Sequence, residues 1–202
     1  ALSILAGKVS AQDTLPAPDG WYKLRYMSRI GTLHAFWTDP ELKDTIDRVT
    51  RRLERANKLP NHFALVDVVN CPLANAYAVT GGWIKLCLPL VAGIESEDEL
   101  AFVISHEMAH VLLDHVSRFR DPSFPVYSLP DEIDADALGL RMSVMAGYSP
   151  DASEIFLSKS LSQAQSLNQK AAASDLDLRW KRVYAQIQWH YQLLSDIKTF
   201  TE

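Results

Sequence analysis

Ser96-Glu97-Asp98-Glu99-Leu100-Ala101-Phe102-Val103-Ile104-Ser105-His106-Glu107-Met108-Ala109-His110 is the stretch that decides the reading of this chain. Ser96 followed three residues later by Glu99 is a capping box, so a helix opens here and carries an apolar run into a pair of histidines. At about 100° per residue, histidines four apart project within about 40° of each other, and both imidazoles can reach one metal ion. Glu107 stands one residue beyond the first histidine and can address a metal-bound water without ligating it. That pattern points to zinc-assisted hydrolysis with a carboxylate as general base. Two solvated or core histidines are the bland reading. They fit poorly inside a capped apolar helix, where buried ionisable groups need partners.

A third protein ligand has to come from elsewhere. Three residues after His110 stands Leu113, and three further stands Val116, so the glycine and third histidine of the metzincin extension are missing. His115 lies nine residues from His106, about 180° around a continuous helix, which makes it a surface residue or a neighbour of the site rather than a ligand. The better candidate is Glu132 in Glu132-Ile133-Asp134-Ala135-Asp136, where Glu132 and Asp136 share a helix face. One carboxylate can bind zinc while the other, Asp136, accepts the free N–H of a ligating histidine.

Around these segments the chain reads as mostly helical α+β. A first helix starts at Thr38-Asp39-Pro40-Glu41 and carries Leu42, Ile46, Val49 and Leu53 at helical spacing, ending between Asn57 and Pro60. Phe63 to Val69, Ala76 to Thr80 and Trp83 to Leu88 read as strands, with Thr80-Gly81-Gly82-Trp83 as a hairpin turn. The expected sheet is small and antiparallel. After a loop containing Pro122, Pro125 and Pro130, helices are expected from about Asp131 to Ala146, then near 151–166 and 177–198. Two regions result: an N-terminal segment over 1–37 and a metal-binding domain over 38–202.

Composition narrows the class without naming a partner. The 202 residues are 48% hydrophobic with a net charge of −5, so a real core is affordable and no broad basic surface argues for nucleic acid. No stretch reaches the ~20 apolar residues of a membrane helix, although peripheral association with a membrane stays open. Cys71 and Cys87 lack the spacing of a thiolate metal cluster; they are either one disulfide or two small apolar residues in the sheet. Ala1-Leu2-Ser3-Ile4-Leu5-Ala6-Gly7 reads either as the tail of a secretion signal, with Lys8 as the discordant residue, or as an ordinary N-terminal segment. The balance leans toward a periplasmic or otherwise exported protein, with a membrane-associated or organellar location as the alternative.

The run from Ser96 into the histidines resembles the active-site helix of the M48 peptidases, and Glu132 to Leu140 with Met145-Ala146-Gly147-Tyr148-Ser149-Pro150 is similar to that family's second metal segment. Asn75-Ala76 and Gly81-Gly82 resemble its preceding strand. The likeness covers roughly residues 40–190. It implies a gluzincin-like fold, with a small sheet over two zinc-binding helices and one zinc per chain held by His106, His110 and Glu132. Its implied activity is endopeptidase cleavage of polypeptides, with unfolded or damaged proteins as the substrate class. The edge strand near Asn75 and Ala76 would hold extended substrate, although Asn75 also reads as a turn residue after Cys71-Pro72.

Two departures from the family stand out. The interval from His110 to Glu132 is short, and the histidine expected ahead of a late arginine is replaced around Ser174-Asp175-Leu176. Arg182 is then the candidate for orienting the site, with a solvated helix-face arginine as the other reading, and no oxyanion donor is assigned. A zinc-holding chaperone or adaptor that grips extended peptides without cutting them is the second functional reading.

Overall fold

The computed structural model describes residues 40–118 and 127–201. The segment 1–37, the Thr38-Asp39 cap and Pro122 and Pro125 lie outside the described residues. Helix α1 (Pro40–Ala56) buries Leu42, Ile46, Val49 and Leu53 along one stripe, as their spacing requires. Strands β1 (Leu65–Val69), β2 (Ala76–Val79) and β3 (Trp83–Cys87) follow, then a short helix α2 (Leu88–Gly93). Helix α3 (Glu97–Leu112) carries the histidines, α4 (Leu129–Met145) carries Glu132, and α5 (Asp151–Ser166) and α6 (Lys170–Thr201) pack together as an antiparallel pair against them.

Helix α3 is the centre of the molecule. Every residue from Glu99 to His110 is buried, because α1, β2, α4 and α5 cover it on different sides. Ser96 caps it by accepting from the Glu99 amide at 3.1 Å, while the Glu99 carboxylate reaches the Glu95 amide and Lys159. Helix α4 opens with a reciprocal capping box between Ser128 and Asp131. It closes at Gly147, whose φ of +79° lets Gly147 N donate to Val144 O and Tyr148 N to Ser143 O.

The sheet departs from the antiparallel expectation. Its order is β1-β3-β2, with β2 antiparallel to β3 but β1 parallel to β3. The Gly81-Gly82 turn, both residues at positive φ, fixes β2 and β3 as a hairpin. The connection Asn70 to Asn75, by contrast, spans two strand spacings, so β3 returns into the gap beside β1. Local turn chemistry specifies the hairpin, and a connection of that length leaves the neighbour of β1 open. Cys71 and Cys87 are disulfide-bonded and tie this connection to the end of β3. Strand β2 is thereby left at the sheet's edge, against α3.

Gly139 sets how closely α4 approaches α3. A Cβ there would lie 2.8 Å from His106 Cα and 2.9 Å from His106 N, both backbone atoms that cannot swing away. Ser105 Oγ also donates to Gly139 O at 2.8 Å. Gly139→Ala is therefore expected to force the two helices apart, costing about 1–3 kcal/mol in a urea titration and weakening metal binding. A helix-propensity effect alone would stabilise the variant, and that outcome would reject the close-contact account.

Candidate metal centre and active site

His106 and His110 sit one turn apart on α3, both fully buried, with Nε2 atoms 3.0 Å from each other. Glu132, in the first turn of α4, brings Oε2 to 3.5 Å from His106 Nε2 and Oε1 to 3.9 Å from His110 Nε2. One ligand atom from each residue falls within a common span of 4.8 Å. Donors about 2.0–2.1 Å from a tetrahedral zinc ion are about 3.3 Å apart, so the observed triangle has the size of a zinc site. The donor set of two imidazoles and one carboxylate is also one that zinc accepts, and it leaves a fourth position for another ligand.

The surroundings are those of a cation cradle. Burial disfavours the His106 imidazolium, yet Asp136 and Glu132 outweigh it and raise that imidazole to about 9. Burial and the neighbouring His106 charge push His110 the other way. Asp136, one turn beyond Glu132, lies 3.0 Å from His106 Nδ1 through Oδ1. That contact leaves Nε2 of His106 turned to the triplet. Glu107 is fully buried, and neither of its carboxylate oxygens has a side-chain hydrogen-bond partner among the described residues. Burial raises its pKa, with the His106 charge opposing, and the Ala78 backbone of β2 lies near enough to favour the anion. An unpartnered buried carboxylate is costly, and its position beside the triplet is where a water or substrate would be met.

Arg182 is a correction. It is exposed on α6, as is Asp175, and the arginine that reaches the site is Arg179, one helical turn earlier. Arg179 Nε donates to Asp136 Oδ2 at 2.7 Å, its Nη2 to Asp136 Oδ1 at 2.8 Å, and its Nη1 meets Glu132 Oε2 at 2.8 Å. Burial alone would raise both carboxyls, but the Arg179 charge outweighs it and holds them below their usual range. A signal for this was present. Leu176, Val183 and Ile187 form the buried stripe of α6, and Arg179 falls on it while Arg182 does not.

Two more residues adjoin the site: Tyr127, which the sequence does not single out, and His115, for which the neighbour reading holds. Tyr127 stacks on His110, ring centroids 3.7 Å apart and planes 12° from parallel, and its hydroxyl donates to Ala78 O at 3.3 Å. His115 is buried beside His110 and not on the surface, because α3 stops at Leu112. Asp114, at φ +56°, reverses the chain so that Asp114 N donates to Val111 O and His115 N to His110 O. The 180° separation holds only for a helix that continues.

Asn75 and Ala76 stand at the start of β2, both buried. Asn75 O accepts from Cys87 N at 2.8 Å, so the alternation of an antiparallel pair turns the backbone groups of Ala76 and Ala78 away from β3. The Asn75 Oδ1 is buried without a hydrogen-bond partner among the described residues.

A model of peptidase family M48 matches residues 37–124, the span that holds β2 and both histidines. Over that span the chain is similar to peptidase family M48. A putative beta-barrel assembly-enhancing protease of Vibrio cholerae is 34% identical over 94 residues, covering 46% of this chain and 19% of that relative. The beta-barrel assembly-enhancing protease of Escherichia coli is 27% identical over 169 residues, covering 63% of this chain and 34% of its own length. The mitochondrial metalloendopeptidase OMA1 of Arabidopsis thaliana is 30% identical over 110 residues, covering 41% and 23%. The chain thus spans about a fifth to a third of the length of these curated relatives. Glu132, Asp136 and Arg179 lie beyond the span matched by the M48 family, and it is the geometry that brings them to the site.

Removing the Arg179 charge would leave Glu132 and Asp136 as two buried carboxylates without it. Arg179→Met is expected to destabilise the protein by about 3–5 kcal/mol in denaturant titrations, whereas Arg182→Ala should stay within about 0.5 kcal/mol. Equal costs for the two variants would return Arg182 to consideration.

Proposed function

We propose that this chain is the catalytic domain of a zinc-dependent endopeptidase acting on extended segments of unfolded or damaged polypeptides. The observation that carries the reading is Glu107: a buried carboxylate whose two oxygens have no hydrogen-bond partner among the described side chains, beside the ligand triplet and the Ala78 backbone of the edge strand. His106, His110 and Glu132 would hold one zinc per chain, which when bound supplies a Lewis acid that polarises a carbonyl and acidifies water. Glu107 takes the proton of the attacking water on a carboxylate oxygen and returns it to the leaving amine. Its raised pKa suits a group that must hold that proton between the two events. Asp136 keeps His106 turned toward the triplet, and Arg179 keeps Asp136 and Glu132 in place.

Strand β2 supplies the substrate side. Its backbone groups at Ala76 and Ala78 face away from β3, and an extended chain that displaces the Tyr127 hydroxyl from Ala78 O would pair with them, with Asn75 at the strand's entry. Strand addition reads the backbone along its length and needs no chain terminus, which supports cleavage of internal bonds. The Cys71–Cys87 disulfide supports an oxidising, exported setting. No helix among the described residues is long and apolar enough to cross a membrane.

Zinc content and casein hydrolysis, measured side by side, test the proposal. Wild type should hold one zinc and cleave. Glu107→Gln should keep the zinc and lose about 10²–10⁴-fold in rate, while His110→Ala should lose both. Near-normal turnover by Glu107→Gln would remove Glu107 as the base. Zinc without cleavage in the wild type would favour a peptide-gripping chaperone or adaptor, and a wild type that takes up no zinc would overturn the metal centre itself. Equal cleavage of end-blocked and free peptides would separate an endopeptidase from one limited to chain ends.

A further inference from the structure

His115 has no part in the hydrolysis set out above, yet it is tied to His110 twice. Its amide donates to His110 O at 3.0 Å, and its Nδ1 lies 2.9 Å from His110 Nδ1. Its other ring nitrogen, Nε2, lies 3.5 Å from Asp131 Oδ1. Asp131 is itself fixed, because its Oδ2 accepts from Ser128 N at 3.2 Å and from Ser128 Oγ at 2.7 Å in the capping box of α4. We infer that His115 is a positioning residue for His110, holding it in the tautomer whose Nε2 is open to a divalent cation, with Asp131 holding His115 in turn. This rests on the reading of His106, His110 and Glu132 as a metal centre.

The argument is one of valence. Between two facing Nδ1 atoms, one must donate and the other accept. A His110 that binds metal through Nε2 carries its proton on Nδ1, so His110 donates and His115 accepts. The proton of His115 then sits on Nε2, facing a carboxylate, which can only accept. The reverse arrangement would put a proton on His110 Nε2, which lies 3.0 Å from His106 Nε2 inside the ligand triplet. Asp131 disfavours it by leaving its carboxylate facing a lone pair. Tyr127 fixes the plane of the His110 ring by stacking, and His115 fixes the rotation within that plane.

Helix α4 then supports both histidines of α3. Asp136 supports His106 directly, at 3.0 Å, and Asp131 supports His110 through the inserted imidazole of His115. The ligand Glu132 is the residue after Asp131, so ligand and support move with the same turn of helix.

Zinc dissociation constants of the full chain, measured by competition with a chromophoric chelator, test the inference. His115→Phe keeps a ring of similar size but offers no acceptor, and it should weaken zinc binding about 10–100-fold. His115→Asn places a carbonyl oxygen near the position of Nδ1 and should recover most of that loss. Wild-type affinity in His115→Phe, or equal losses in the two variants, would overturn the inference and leave a packing role. In the zinc-loaded wild type, imidazole ¹⁵N shifts should show His115 protonated on Nε2 and bare on Nδ1. The opposite tautomer would overturn the inference without any variant having to fold. If the wild type bound no zinc, the metal-centre reading would be what failed.

Discussion

The contact of α3 with α4 at His106 and Gly139 is the constraint on which the rest of the structure depends. His106 must sit deep enough to be dry and close enough to α4 to meet Glu132 and Asp136 at once. A side chain at residue 139 would fill that space. The same approach lets Ser105 bond to the Gly139 carbonyl and lets the buried face of α4 close over α3. Packing and site geometry are therefore one requirement: a helix pair loosened by a few tenths of an ångström would also open the ligand triangle.

Burying that many ionisable groups needs compensation, and α6 provides it. Two carboxylates in a dry helix interface repel each other and lose their hydration, a cost that attraction repays only with well-placed partners. Arg179 is such a partner, because its planar fork reaches Asp136 through two nitrogens and Glu132 through a third. A lysine would bring the charge but only a single point of contact. The arginine arrives from the far end of the chain, along a helix whose other buried residues are Leu176, Val183 and Ile187. Burial of that apolar stripe delivers the charge, and the charge makes the centre tolerable.

How much of this was legible depended on whether the cause was local. The α1 stripe, the Ser96 cap, the glycine hairpin and the end of α4 at Gly147 are each set by a few neighbouring residues, and each lies where the spacing places it. The histidine pair and the Glu132/Asp136 face were legible for the same reason, since helical geometry alone brings their members together. What failed was long-range or conditional. The parallel pairing of β1 with β3 depends on a connection that skips a strand position. The angle around α3 leaves His115 open between the surface and the neighbourhood of the site, because it applies only within a continuous helix, and the resemblance points to Arg182 whereas the α6 stripe favours Arg179. Tyr127 gave no signal at all; a tyrosine beside a proline-containing loop has no pattern that predicts stacking on a histidine.

The division of labour along the chain has a thermodynamic consequence. The first part of the domain holds the edge strand, both histidines and Glu107, while the carboxylates and the arginine that balance them come from α4 and α6. Until α4 and α6 dock, the two histidines and Glu107 lie on a helix with nothing to compensate their burial. Docking supplies Glu132, Asp136, Asp131 and Arg179 together, and the ligand triplet exists only once it is complete. A cation that binds the triplet binds the docked state alone, so its binding free energy is added to the stability of the fold. The arrangement couples the formation of the proposed metal site to completion of the domain: a chain with α4 displaced keeps the histidine motif but lacks Glu132, and one with α6 displaced lacks the charge that balances Glu132 and Asp136.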